Sequence, residues 1–335
     1  MFKTKASLRQ LSLVTVIVVL QLALTTGLAL AAVPEVVGRV KPLIEQDGFL
    51  FKDLNGNGKL DVYEDWRLPA AERVEDLLSQ MTLVEKIAQM QHPTFVPKAD
   101  GSAPAFLERW MEESNVGFVL VRDLPGAKAA AVTMNQIQEW SESSRLGIPV
   151  VVSMDSVHGL SYVNGGLVHP HNLGLAATRN VDLVRELSEA GRLEHMAIGV
   201  RMTLSPEADV ATEPRWGRVM ETFGEDPDLV AEMVVAQVEA YQAGTTLNPE
   251  SVMACVKHFP GAGPQMEGID MAPIVSSTET LEIHLKPFKA AIASGVASVM
   301  PYYSIPLAID MMAALGSEKT LQGLLREEMG FDGII

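Results

Sequence analysis

Residues Ser251–Gly263 read SVMACVKHFPGAG. An almost wholly apolar run, Ser251–Val256, leads into Lys257 and His258, and a loop with Pro260, Gly261 and Gly263 follows. An unbroken apolar run suits a strand buried on both faces, because a strand with one wet face alternates apolar and polar residues. A charged residue directly after such a strand needs a partner or a ligand. The glycines let the loop turn tightly and bring backbone close to whatever Lys257 and His258 face. A satisfied structural histidine is the competing reading for His258, and the adjacent lysine counts against it.

The pattern recurs along the chain. VGFVLV (Val116–Val121) precedes Arg122-Asp123, IPVVVSM (Ile148–Met154) precedes Asp155, and GVRMTL (Gly199–Leu204) precedes Ser205-Pro206-Glu207 and Asp209. VASVM (Val296–Met300) is followed closely by Tyr302-Tyr303, and a last run, Gly333–Ile335, follows a Gly-Phe-Asp-Gly turn. Between the runs lie segments of helical period, such as AAAVTMNQIQEWSESS, NVDLVRELSEAGRLEHMA and DPDLVAEMVVAQVEAYQA. Asn180 and Asp226-Pro227 suit helix starts, and Thr82 with Glu85 suits a capping box ahead of Leu83, Ile87 and Met90. Apolar strands alternating with crossover helices predict an α/β fold with a parallel sheet covered on both faces.

Strands that each end in ionisable or aromatic residues fit a TIM-like (β/α)8 barrel, in which every strand's C-terminal end opens on one mouth. A doubly wound sheet gives a similar pattern but usually carries a glycine-rich phosphate turn. Neither G-x-G-x-x-G nor G-x-x-x-x-G-K-[ST] occurs, so the barrel is the better reading.

Bulk composition narrows the partners. The chain has 335 residues, 47% hydrophobic and 20% charged, with a net charge of -16. That balance is ordinary for a globular protein and argues against nucleic acid and anionic membranes as partners. Lys3, Lys5 and Arg9, the apolar run Leu11–Leu24 and the Ala29-Leu30-Ala31 pattern predict a signal peptide over residues 1–31, hence export to the periplasm or the medium. Cys255 is the sole cysteine, so no intramolecular disulfide forms, and its apolar setting predicts an inert buried thiol.

Two further stretches carry candidate chemistry. In SMDSVHG, Asp155 follows a strand and can accept hydrogen bonds from two adjacent hydroxyls, as sugar sites require; a turn aspartate is the alternative. In EPRWGRVMETFGEDP, Arg215 and Arg218 flank Trp216, one arginine suiting substrate hydroxyls or carboxylates and the other a structural pair.

Taken together, RLGIPVVVSMDSVHG, HPHNLGLAATRNVDLV, SPEADVATEPRWGRVMETFGEDPDLV, VKHFPGAG and SGVASVMPYY resemble glycoside hydrolase family 3, the β-glucosidase-type enzymes, from about Asp53 to Ile335. The resemblance implies an N-terminal barrel domain. It implies hydrolysis of terminal non-reducing β-D-glucosyl residues with retention, on β-glucosides or oligosaccharides and with no cofactor in catalysis. It assigns Asp155, Arg218, Lys257 and His258 to the hydroxyls of the cleaved sugar, and Tyr303 to a place beside the nucleophile. A retaining glycosidase uses two carboxyl groups about 5 Å apart. The resemblance implies that the nucleophilic aspartate follows shortly after Ile335 and that the acid/base comes from a later domain. The expectation is therefore a barrel incomplete at its C-terminus and a chain inactive by itself. A subgroup active on N-acetylglucosaminides carries an Asp-x-His loop; here that loop reads AGPQMEGIDMAP and lacks histidine, which favours the glucosidase type over it. A β-xylosidase of the same family, a non-catalytic exported sugar binder and a two-lobed solute-binding protein are the alternatives. His169-Pro170-His171 falls in a structural turn of the family pattern, so a metal pair there has little support.

DLNGNGKLDVYE matches D-x-[DN]-x-[DN]-G-x5-E in full. Asp53, Asn55, Asn57, the Lys59 carbonyl, Asp61 and Glu64 form the oxygen set for a structural calcium, with a plain polar turn as the alternative. The domain reading is a signal peptide (1–31), an arm with this loop (32–66) and a partial barrel domain (67–335).

Overall fold

The structure is a computed structural model that describes residues 33–98 and 100–335. The signal-peptide expectation lies outside the described residues. Residues 33–37 belong to a separate unit and adopt no regular secondary structure. Gly38–Ile335 is one compact unit, so the calcium-type loop belongs to the same body as the sheet.

That unit begins with an antiparallel hairpin, β1 (Leu43–Gln46) and β2 (Phe49–Lys52), turned through Asp47 and Gly48 at φ 55° and 80°. Two helices follow, α1 (Ala70–Gln80) and α2 (Leu83–Ala88). Thr82 and Glu85 form the expected capping box at the start of α2. The helix stops at Ala88, short of Met90, and Leu83 and Ile87 on it are 73% and 46% exposed.

Strands and helices then alternate: β3 (Thr94–Phe95), α3 (Ala105–Ser114), β4 (Phe118–Val121), α4 (Ala127–Ser143), β5 (Val151–Met154), α5 (Asn172–Ala177) and α6 (Val181–Ala197). They continue with β6 (Met202–Thr203), α7 (Pro227–Gln242), β7 (Met253–Phe259), α8 (Thr278–Ala293) and β8 (Ser298–Pro301). A helical segment, Lys319–Glu328, closes the series. The expected caps are present: Asn180 accepts from the Leu183 amide, and Asp226 accepts from Asp228 and Leu229 with Pro227 in the first turn.

The six strands β3 to β8 pair in chain order, all parallel. A doubly wound sheet reverses its order at a switch point, and this one does not. The sheet also answers the two-lobed alternative, since the only other sheet among the described residues is the β1–β2 hairpin. The run Gly333–Ile335 lies beside β8 as expected, through a single parallel bridge between Ser298 and Ile334. Within the parallel sheet, β3 is the strand that sequence reading lacks, because two residues after a polar stretch make no run; the β1–β2 hairpin is missed as well.

Both faces of the sheet are apolar, which is why the strands read as continuous runs. Val119, Val121, Val152 and Met154 pack with Met134 and Ile137 of α4, and Ala254, Val256 and Val299 pack with Val234 and Val238 of α7 and Phe288 of α8. Alternate residues, Leu120, Met202, Leu204 and Cys255, form a separate cluster on the other face, flanked by Phe118, Val151, Met253 and Met300. Each fully buried Val, Leu or Phe in such layers contributes about 1.5–3 kcal/mol. Cys255 is a buried free thiol, as expected, and burial pushes it up to about 11.

Candidate active site

Strand parity builds the first part of the site. Leu120 and Cys255 face the inner cluster, so two residues further along, Arg122 and Lys257 emerge on that same side. Asp155 follows Ser153 in the same way on β5. The β4–β5 register pairs Leu120 with Ser153 and Val121 with Met154, so Arg122 comes opposite Asp155. The Lys257 ammonium donates to Asp155 Oδ1 at 2.8 Å and Arg122 Nη2 donates to Oδ2 at 3.0 Å. Lys257 is almost fully buried, whereas the Asp155 side chain keeps 21% of its surface. Burial alone pulls the Lys257 ammonium down, but the charge and hydrogen bond of Asp155 oppose it and the group is raised and charged. An ammonium has three N–H donors, and Lys257 spends one on Asp155 among the described residues.

The loop after β6 supplies the second part. Trp216 is buried and its indole N–H donates to Asp270 Oδ1 at 2.8 Å, which anchors the loop. Arg218 then turns inward. Its Nε and Nη2 bind Glu221 at 3.1 and 2.7 Å, and Nη2 also reaches Glu207 Oε2 at 2.9 Å. Its Nη1 lies 3.1 Å from His258 Nε2. A guanidinium only donates, so His258 Nε2 is the acceptor and the ring proton sits on Nδ1. Nδ1 donates to Asp209 Oδ2 at 2.9 Å. Asp209 also accepts from the backbone amides of His258 and Ala262, which ties the VKHFPGAG loop to the end of β6. Burial first, then the neighbouring cations, holds His258 below the ordinary histidine range despite Asp209. Arg215, by contrast, is exposed and paired with Glu213, which makes it the structural arginine of the two.

Asp155, Lys257 and Arg122 thus form one set of bonds and Arg218, His258, Glu207, Glu221 and Asp209 a second, and adjacent Lys257 and His258 on β7, with the Glu207–Lys257 backbone bridge, set the two side by side in one site. Tyr303 does not join it: it is 55% exposed. Tyr302 is the buried neighbour, its ring 5.0 Å from that of His258 and its hydroxyl donating to Asp270 Oδ1 at 2.8 Å. Arg122, Glu207, Asp209 and Glu221 complete the site without having been assigned a role from sequence. The strand-end position of the first three was visible, but their partners were not.

Glu207, Asp209 and His258 bring three potential metal-ligand atoms within 4.8 Å of one another, the only such group among the described residues. Arg218 and the His258–Asp209 bond already engage them. The His169-Pro170-His171 stretch instead leads into α5, where His171 is the N-cap residue and its ring stacks on His158 at 3.9 Å.

In the calcium-type loop, oxygen-bearing side chains converge. Asp61 Oδ2 accepts from the Asn55 and Asn57 side-chain amides at 2.6 and 2.7 Å, while their own oxygens accept from the backbone amides of Asn57 and Lys59 at 3.1 and 2.7 Å. Asp53 accepts from the backbone of Asn57 and Gly58, with Gly58 at φ 74° in the sharp turn, and Glu64 bonds Leu54, Asn55 and Asp61. Asp53 and Glu64 are buried. A hard-oxygen set on a tight glycine turn fits calcium.

Residues 82–335 match the family model for the glycosyl hydrolase family 3 N terminal domain, and the chain belongs to that family. It is 39% identical over 328 residues to a periplasmic beta-glucosidase/beta-xylosidase of Dickeya chrysanthemi, covering 89% of this chain and 50% of that protein. It is 38% identical to beta-glucosidase C of Emericella nidulans over 293 residues, 82% of this chain and 47% of that one. The crystal structure of beta-glucosidase from Listeria innocua in complex with isofagomine superposes with a TM-score of 0.65 at 34% identity, over 79% of this chain and 36% of that one. The chain thus spans about half the length of these curated relatives.

Proposed function

We propose that this site holds the terminal non-reducing β-D-glucosyl unit of a glycoside or oligosaccharide, and that the whole protein is an exported, retaining β-glucosidase. The observation that carries the reading is the meeting of Asp155 after β5, Lys257 and His258 on β7, and Arg218 of the loop after β6, in two adjoining sets of buried ionic bonds, with Asp155 and Arg218 still 21% and 24% exposed. A carboxylate acceptor beside cationic donors, held in place by deeper partners, grips vicinal hydroxyls. The names of the relatives support the sugar class, and the periplasmic ones support export. Among the described residues, no helix is long and apolar enough to cross a membrane. The sheet order fits a section of a (β/α)8 barrel with the site at the strands' C-terminal ends.

Retaining hydrolysis needs a free nucleophilic carboxylate and an acid/base, and in this site Asp155, Asp209, Glu207 and Glu221 are each bound to cations, to His258 or to backbone. No cofactor enters the reaction. The reading predicts that the purified chain binds an aryl β-glucoside in calorimetry without releasing the aryl alcohol. Arg218→Lys keeps the charge but loses the forked geometry, and should cost about 1.5–3 kcal/mol of that affinity, or about tenfold to a hundredfold. Xylose and glucose in parallel titrations separate the β-xylosidase alternative. A folded chain that gives no binding heat, or turnover that Asp155→Ala abolishes, would overturn the reading or its inactivity clause respectively.

The calcium loop is proposed as a structural site of Asp53, Asn55, Asn57, the Lys59 carbonyl, Asp61 and Glu64. Calcium at tenfold over its dissociation constant should stabilise the chain by about 1.4 kcal/mol. The thermal midpoint then rises by about 2–4 °C, and Glu64→Gln should erase the rise. Equal melting with calcium and with chelator would remove the site.

A further inference from the structure

We propose that Glu207 stands in the site as the neutral carboxylic acid, and that this uncharged state leaves Arg218 available to the sugar; the proposal rests on the sugar-site reading above. Glu207 follows β6, its backbone bridges to Lys257, and its side chain is fully buried. Its Oε2 takes an N–H from Arg218 Nη2 at 2.9 Å, while the same nitrogen serves Glu221 Oε2 at 2.7 Å. Its Oε1 is buried with no partner among the described residues.

The charges around it decide its state. Facing Glu207 are Asp209 and His258 within 4.8 Å, together with Arg218, Lys257 and Glu221. Three cations, Arg122, Lys257 and Arg218, already balance three carboxylates in charge: Arg122 and Lys257 hold Asp155, Arg218 holds Glu221, and Asp209 is held by neutral His258 and backbone amides. An ionised Glu207 would be a fourth anion, buried and with one oxygen unpaired. His258 cannot compensate by charging, because its Nε2 accepts from Arg218. Burial, reinforced by Asp209, accordingly pushes the Glu207 carboxyl well above the ordinary range. Glu221 goes the other way: although burial opposes it, hydrogen bonds from Arg218 and from Glu207 hold it down to about 2. One proton, on Glu207 and directed to Glu221, satisfies both acids. Arg218 then faces one negative charge from this pair instead of two. Glu207 is a positioning residue in this arrangement and touches the sugar only through Arg218.

The test reads a proton. In the unfolded chain Glu207 ionises near pH 4.3. Between that value and its higher pKa in the fold, folding takes up one proton, so this group's stability contribution falls as pH rises, by about tenfold in the folding constant per pH unit. Glu207→Gln cannot ionise and lacks that slope. The ratio of folding constants, variant over wild type, measured by urea unfolding of the full chain, should therefore grow from pH 5 upward, by about tenfold per unit until the folded-state pKa of Glu207 is reached. A ratio independent of pH overturns the proposal. Glucose titration supplies the positioning readout: Glu207→Leu, with no oxygen for Arg218, should bind at least about tenfold more weakly than Glu207→Gln. Equal affinities overturn the positioning role. If Glu207→Gln does not fold, the infrared spectrum of the Glu64→Gln chain at pH 6 decides, since a protonated-carboxyl stretch there supports the neutral acid and its absence refutes it. Failure of wild type and both variants to bind glucose would sink the sugar reading alone and leave the pH slope to stand or fall by itself.

Discussion

Asp155→Ala is expected to destabilise the folded chain by about 3–5 kcal/mol at neutral pH and to remove sugar binding. Asp155 is the partner that keeps the buried Lys257 charged, and it fixes Arg122 from the other side. Removing it strands an ammonium that is 2% exposed on β7. Breaking a buried pair from one end costs more than the pair itself contributed, because the remaining charge stays desolvated. The pH dependence distinguishes this from a simple packing defect. In wild type the folded-state pKa of Lys257 is raised, so its contribution is fully present below the unfolded value of about 10.4 and is lost only above it. In the variant, burial dominates and the folded pKa drops below that value. Folding then releases a proton, and stability rises with pH between the lowered pKa and about 10.4. Urea unfolding from pH 6 to pH 9 should show the deficit shrinking as pH rises. A deficit that stays constant would mean that Lys257 is not held by Asp155.

Gly263→Ala is the second large effect. A Cβ at Gly263 would lie 1.7 Å from the Val210 carbonyl oxygen, a backbone atom that cannot swing aside. Val210 adjoins Asp209, whose Oδ1 accepts the Ala262 amide, so relieving the clash pulls the loop off the end of β6. Overpacking of this kind costs about 1–3 kcal/mol where side chains can yield, and more where the obstacle is backbone. The variant should lose sugar binding and unfold at lower urea. Gly217→Ala is the control: it sits on the Arg218 loop, is exposed, and its Cβ would meet nothing within 4 Å. Matching behaviour of the two variants would show that crowding at Gly263 is not what constrains the loop.

Much of this arrangement was legible from residue order. Runs such as IPVVVSM announce buried parallel strands because both sheet faces are covered, and parity then carries Asp155 and Lys257 to one side. The family motifs separate Arg218 from Arg215, which the residue types alone leave open. What order does not reveal is pairing across the site. Glu207, Asp209 and Glu221 read as scattered acids on a strand end and a loop until Arg218 folds back between them. Arg122 needed the β4–β5 register before it could be set opposite Asp155. Adjacent tyrosines look equivalent in sequence, yet Tyr302 is buried against His258 and Tyr303 is exposed. β3 is too short to leave a pattern, and the helical period of Leu83, Ile87 and Met90 gives a helix without telling that it ends at Ala88 or that Leu83 and Ile87 are exposed.

The central claim is that one sugar is held by the site at these strand ends. Crystals of the chain soaked with glucose test it most directly. The account predicts a pyranose with hydroxyls on Asp155, Lys257, His258 and Arg218, and the Lys257–Asp155 and His258–Asp209 bonds intact behind it. Glucose ordered at another surface, or an empty site in a crystal soaked well above the measured dissociation constant, would contradict it.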